Sequence, residues 1–342
     1  MKRRPLLAAG FAALASGAAG AATPLPAVLQ RPATRTPLAT SAALLAATRT
    51  GRRLVVGGER GIVLFSDDDG RQWQQASVPV QVSITSLLFT SEREGWAGGH
   101  FGTLLRTADG GQTWTLAMDG VRAAQVLLDG AAEGPQRQAA QRKVEEGADK
   151  PFFDLAVVGG RLLAVGAYGL ALESADGKTF QPLAHRLPNP RQFHVYGLRS
   201  EGQRVWAVGE QGLLVRSTDG GARFEAVAPP YKGSFFGVLL PAPGVVLAFG
   251  LRGNIWRSAD NGDSWSAVAN PVPVSLSSGT LLADGRVALV AQNGDVLISR
   301  DQGASFQRQA ATPPFPAAAM AVAPDGQLLL TGLRGLKRQA LA

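Results

Sequence analysis

The hydrophobic pattern of this chain is short and regularly broken. SITSLLFT (83–90), GWAGG (95–99), TLLRT (103–107) and WTLAM (114–118) are aliphatic, β-branched and aromatic runs separated by glycine, aspartate or charged residues. Apolar positions recur at a period of two within runs too short for helices, which predicts half-buried strands. The same rhythm returns in RVWAVG, GLLVRS and RFEAVA (204–228) and in VVLAFG, NIWRS and SWSAV (245–268). Helical periodicity is absent outside one segment, so stacked helical repeats are excluded.

Two turn signatures punctuate the strands. The first is SDDDGRQW (66–73), followed by TADGGQTW (107–114), a shortened SADGKTF (174–180), STDGGARF (217–224), SADNGDSW (258–265) and SRDQGASF (299–306). Their aspartates, Asp68, Asp109, Asp176, Asp219, Asp260 and Asp301, lie 41, 67, 43, 41 and 41 residues apart, so the unit is about forty residues with one insertion. The second signature precedes each copy: GERG (58–61), GHFG (99–102), GAYG (166–169), GEQG (209–212), GLRG (250–253) and a degenerate AQNG (291–294). A seventh, GLRG (332–335), has no aspartate turn after it. Four short strands per unit is the form of a propeller blade. Seven units predict an all-β, seven-bladed ring of four-stranded antiparallel blades over residues 23–342. The last unit offers three strands, AAMAVAP, QLLLTG and LKRQALA. AVLQRPAT (27–34) resembles the outer strand FQRQAATP (306–313), so the N-terminal segment is expected to complete the seventh blade and close the ring.

A short carboxylate can accept N–H bonds across its own turn, and glycine tolerates positive φ. The following aromatics, Trp73, Trp114, Phe180, Phe224, Trp265 and Phe306, are placed to wedge between neighbouring sheets. A feature repeated around a ring reads as architecture and not as a catalytic site.

Composition narrows the remaining choices. The chain has 342 residues, 45% hydrophobic and 18% charged, with 42 glycines and no cysteine, which suits a globular array with many turns and no disulfide or thiolate metal site. MKRRPLLAAGFAALASGAAGAATPLPA has the basic start, small apolar run and Ala-rich end of a secretory signal, expected over residues 1–22. RRPLL also loosely resembles a twin-arginine signal, so export by either route to a periplasm or lumen-like compartment is expected. The net charge of +8 falls to +5 without Lys2, Arg3 and Arg4. In an exported protein that excess favours acidic partner surfaces or anionic headgroups over nucleic acid.

The S/T-x-D-x-G-x-T/S-W/F turns resemble the Asp-box, or BNR, repeat of sialidase-like propellers. Their pairing with GxxG at a forty-one-residue spacing more specifically resembles the photosystem II stability/assembly factor family, across about residues 27–342. That resemblance implies an exported seven-bladed propeller without enzymatic activity, which helps assemble a membrane protein complex. Related bacterial propellers point instead to envelope transporters or export.

The Asp-box also occurs in sialidases and other glycosidases, so hydrolysis or carbohydrate binding is the alternative. Sialidases need three clamping arginines, a Tyr nucleophile with a Glu partner, and an acidic donor. No Arg-Ile-Pro tripeptide exists here, the tyrosines are Tyr168, Tyr196 and Tyr231, and Glu210 has no obvious acidic partner. Asp154 is the main aspartate outside a repeat turn. His100, His185 and His194 lack a metal-ligand spacing, and SDDDG lacks the ligand series of a calcium loop. No catalytic residue, metal or cofactor is expected.

In a propeller the GxxG turns crowd one mouth of the ring, opposite the aspartate turns. Their middle residues vary, and the candidates for partner binding are Arg60, His100, Phe101, Tyr168, Gln211, Arg252, Asn293 and Arg334. Three connections open on the same face: residues 129–151, expected to be helical or disordered, HRLPNPRQFHVYG (185–197) and PPYKGSFFG (229–237). They add Arg191, His194, Tyr196, Tyr231 and Lys232, which the sequence is expected to gather beside Tyr168 and Arg252. Arg-plus-aromatic surfaces suit protein docking. The expected protein is a monomeric scaffold ring that holds a membrane-associated protein partner on this face.

Overall fold

The computed structural model describes residues 25–341. The expected signal segment, residues 1–22, lies outside them. Seven antiparallel sheets follow one another around a ring, six with four strands and the last with three. Blade 1 comprises Leu44–Thr50, Arg53–Gly58, Val63–Ser66 and Gln74–Gln75, and blade 7 comprises Ala317–Val322, Leu328–Gly332 and Gly335–Gln339. The innermost strand of each blade packs on that of the next, and Ala317–Val322 packs on Leu44–Thr50, so the ring is closed.

The core is divided among seven apolar seams, one between each pair of neighbouring blades. The second strand of each blade is covered on both sides: Val245–Gly250 is buried at every position. Such strands read as continuous apolar runs because both faces are dry. Only the innermost strands alternate, as in Leu44–Thr50. The outermost strands are only two residues long in blades 1, 3, 4 and 5, and lie at the surface.

Ring closure differs from the expectation. Residues 27–34 do not join blade 7. Ala27–Leu29 forms a single 3-10 turn, and Leu29 is buried in the seam between blades 1 and 2. Val28 O accepts from Gln81 N at 2.7 Å and Ala33 N donates to Val78 O at 2.9 Å, which fixes the segment on the link between those blades. The resemblance to FQRQAATP was compositional, and pairing also requires a partner edge within reach. The residues that bridge blades 7 and 1 are instead Ala39–Ser41, which pack on the seventh GxxG turn. There Thr40 O would lie 2.0 Å from a Cβ on Gly335 (φ +83°), so only glycine fits. Among the described residues no strand pairs with the outer edge of blade 7, which carries Lys337 and Arg338, charges that discourage edge-to-edge pairing.

The aspartate turns are alike in all six copies. In the second, Thr107 Oγ1 donates to Asp109 Oδ1 (2.8 Å), as do the N–H groups of Gln112 and Thr113 (both 3.0 Å). Equivalent bonds hold Asp68, Asp176, Asp219, Asp260 and Asp301. The aromatics reach across: Phe180 meets Trp96 of blade 2 edge-on at 6.5 Å, and Trp265 meets Trp206 of blade 4 at 5.9 Å.

Between blades 2 and 3 the chain forms two antiparallel helices, α1 (Gly120–Asp129) and α2 (Pro135–Glu146). α1 begins nine residues before the insertion read from the sequence. Asp119 caps it by accepting from Arg122 N (3.0 Å), and Ala123, Ala124 and Leu127 are buried beneath it. Small apolar residues after a strand, in GVRAAQVLLD, hid its 3.6-residue period.

Candidate partner-binding face

Five of the GxxG turns share one backbone conformation. Arg60, Phe101, Tyr168, Gln211 and Arg252 have φ between 51° and 56°. The left-handed region is costly for residues with a side chain, on the order of 1–3 kcal/mol each. It persists because the following glycine is pinned: a Cβ on Gly61 would lie 2.0 Å from Val80 O, and one on Gly212 2.3 Å from Tyr231 O. The first glycine and the connecting strand are tied in turn by acids. Glu59 Oε1 accepts from Ala43 N (2.9 Å), and Glu210 Oε2 from His194 N (3.2 Å). Glu210 is thus a backbone anchor.

Arg60, His100, Tyr168, Gln211, Arg252 and Arg334 are exposed, and so are Arg191 and Lys232. The side chains of Arg60, Arg252 and Arg334 form no ion pair or hydrogen bond among the described residues. Phe101 leans into the seam between blades 1 and 2, and Tyr231 packs edge-on against Phe235 (5.9 Å) in the seam between blades 4 and 5. Asn293 is occupied within its own turn, donating to Asp295 Oδ2 at 3.0 Å. Arg191 lies over Phe193 at 5.8 Å.

Part of the expected cluster does assemble. Tyr168 meets His194 edge-on at 4.6 Å, His194 meets Tyr196 at 5.7 Å, and Tyr196 Oη lies 3.3 Å from His194 Nδ1. Phe153 stacks on Tyr196 at 5.3 Å, and Phe236 meets it edge-on at 5.5 Å. These five rings form a string from blade 3 to blade 5. Burial, with the Glu210 carboxylate nearby, pushes the Tyr196 phenol above its ordinary value, so it stays neutral. Among the described residues, Tyr231, Lys232 and Arg252 make no ring contact, ion pair or hydrogen bond with the string. Phe153 is the ring that sequence reasoning passed over. Its signal was the Phe152–Phe153 doublet: strand alternation buries Phe152 completely and turns Phe153 outward. Lys143 and Lys150, from α2 and the loop after it, were also missed. Lys143 Nζ donates to Tyr168 O at 2.7 Å, and Lys150 Nζ lies 5.4 Å over the Tyr168 ring.

The opposite face treats its arginines differently. Arg53, Arg161, Arg216 and Arg257 each donate to a backbone carbonyl in the aspartate turn of the next blade, at Gly110, Gly220, Asn261 and Gln302. Several are also ion-paired, Arg53 with Asp67 and Arg216 with Glu225 and Asp263.

The central channel is about 620 Å³ and is lined by the innermost strands. Asp154 is the carboxylate among the described residues that line it. Its Oδ2 accepts from Arg199 Nη1 (2.7 Å) and Leu198 N (2.8 Å), and its Oδ1 from Leu155 N (2.9 Å). It ties blade 3 to blade 4 and has no facing acid with which to share a proton or a water. Among the described residues no group of three or more His, Asp or Glu side chains is placed to hold a metal.

No family model and no curated protein matches the chain. Solved structures do. The structure "YCF48 bound to D1 peptide" aligns with a TM-score of 0.65 at 18% identity, over 90% of this chain and 96% of that one. YCF48 from Cyanidioschyzon merolae aligns at 0.64 and 14% identity, over 90% and 97%. A streptogramin B lyase aligns at 0.62 and 11% identity, over 87% and 93%. The fold is that of the β-propellers. At these identities the likeness establishes architecture alone, and the lyase shows that propellers of this shape include enzymes.

Proposed function

We propose that the protein is a non-enzymatic, exported scaffold that holds a protein partner, a membrane-complex subunit or an envelope transporter, against the GxxG face. The observation that carries this reading is the state of the arginines. On the aspartate-turn face Arg53, Arg161, Arg216 and Arg257 are bound to backbone carbonyls of the next blade. On the GxxG face Arg60, Arg252 and Arg334 stand exposed at turn apices without a partner among the described residues, and a string of five aromatic rings runs across blades 3 to 5 of the same face. Free guanidinium groups and aromatic rings on a rigid frame are the components of docking hot spots. The repeat's resemblance to the Asp-box assembly-factor propellers, and the peptide held by YCF48 in its structure, support the same reading. Export follows from the expected signal segment. No helix among the described residues is long and apolar enough to cross a membrane. Catalysis is disfavoured because the channel carboxylate, Asp154, is committed to Arg199.

The test is site-specific photo-crosslinking in the native envelope. A crosslinker at Arg252 or Arg334 should capture a membrane protein, and one at Arg223 or Asp263 on the other face should not. Equal capture from both faces, or capture from the aspartate-turn face alone, overturns the assignment.

A further inference from the structure

The helical hairpin and the Pro-rich loop are the two largest departures from the repeat, and they meet. Between α1, α2 and residues 182–192 lies a cavity of about 480 Å³. That is within the range of small-ligand pockets, roughly 300–1,000 Å³. Its walls are apolar, formed by Leu127, Ala131, Ala140, Pro182, Leu187 and Pro188. It opens off two blade seams: Leu127 and Ala140 belong to the one between blades 2 and 3, and Leu187 to the one between blades 3 and 4.

Lys143 stands at one end. Its Nζ donates to Tyr168 O (2.7 Å) and Gln192 Oε1 (2.9 Å), which leaves one N–H unused. Among the described residues no carboxylate lies within ion-pairing distance of it. Lys150, its neighbour, is paired with both Glu146 and Asp149. Burial, reinforced by the Lys150 charge, pulls the Lys143 ammonium below its ordinary value. The Glu146 and Asp149 carboxylates act on Lys143 only through space and are ion-paired with Lys150, so an anion placed beside the partly buried ammonium relieves its desolvation.

We propose that this cavity binds an anionic amphiphile, with its aliphatic chain along the apolar walls and its head group on the free N–H of Lys143. The charge selects an anionic ligand over a neutral apolar one, and the enclosure by helices on one side and loop on the other suits a single chain. This goes beyond the docking reading and does not depend on it.

Calorimetric titration of the mature chain with sodium decanoate and with decan-1-ol tests the site, with the thermal melt of each variant as the folding control. Decanoate should bind at least tenfold more tightly than the alcohol. Lys143→Gln should reduce decanoate to the alcohol's affinity without changing the alcohol, and Lys143→Arg should restore the preference. Ala139→Trp, which fills the cavity, should abolish both while the melt is unchanged. Flotation with phosphatidylglycerol vesicles identifies the source: Lys143-dependent flotation assigns the ligand to membrane lipid, and decanoate binding without flotation assigns it to free fatty acid. Absence of decanoate binding, equal affinity for acid and alcohol, or unaltered binding in Ala139→Trp overturns the proposal, as would loss of the alcohol in Lys143→Gln.

Discussion

The two faces of the ring are built from the same residue types and use them in opposite ways. On the aspartate-turn face each carboxylate accepts N–H and hydroxyl bonds from its own turn, and arginines reach across seams to carbonyls of the next blade. On the GxxG face the acids Glu59 and Glu210 anchor backbone, but the apex side chains differ from blade to blade, and those of Arg60, Tyr168, Gln211, Arg252 and Arg334 are exposed. A polar group already satisfied within the fold has no donor to offer a partner, so repetition marks the structural face, and the proposed partner face is the one that varies. The net charge of +8 misleads on its own, since much of the arginine is structural.

This contrast can be broken by experiment. The largest effect should come from Gly61→Val, whose side chain would meet Val80 O in a left-handed backbone. Destabilisation of about 3 kcal/mol or more is expected, visible as a collapsed melting temperature by circular dichroism. Trp114→Ala, which empties the seam between blades 1 and 2, should cost about 3–5 kcal/mol in urea unfolding. The faces separate at the next level. Arg216→Met removes charged hydrogen bonds to Asn261 O and Asp263 and should cost about 1–2 kcal/mol. Arg252→Met should cost less than about 0.5 kcal/mol. Equal losses would erase the distinction.

Acid should act on the structural face. The Ser264 hydroxyl and N–H, then the Ser258 hydroxyl, hold Asp260 at about 2, and Ser305 and Ser299 hold Asp301 at about 2. Both lie below the unfolded value near 4, so their contribution is present above about pH 4 and is lost as pH falls towards 2. Melting temperatures should decline across that window, and Asp301→Asn should flatten the decline. The smallest effect on stability is expected for the combined Arg60→Glu, Arg252→Glu and Arg334→Glu variant. Its melt should match the parent within a degree or two, while crosslinking to the partner is lost.

Much of the architecture was legible in the residue pattern. The six aspartate turns repeat because each is a local solution, made by residues within eight positions of one another, and the GxxG turns repeat with the strand connections that pin them. Blade number, the roles of Asp109 and Trp114, and the separation of the faces followed from that. The site was legible in part. Tyr168, His194 and Tyr196 come together as expected, but Tyr231 and Phe101 turn into seams, because an aromatic near a seam buries its area there unless packing prevents it. Lys143 and Lys150 were not legible, since their positions depend on how a non-repeating hairpin docks.

By itself, then, the sequence determined the unit: its strands, its turns and the count of seven, all set by interactions between near neighbours in the chain. Tertiary structure decided what joins distant segments. It placed Ala39–Ser41, and not residues 27–34, at the last turn, bound Asp154 to Arg199, and set the hairpin over the Pro-rich loop. Those outcomes rest on which surfaces lie within reach once the ring has formed, and no periodicity encodes that.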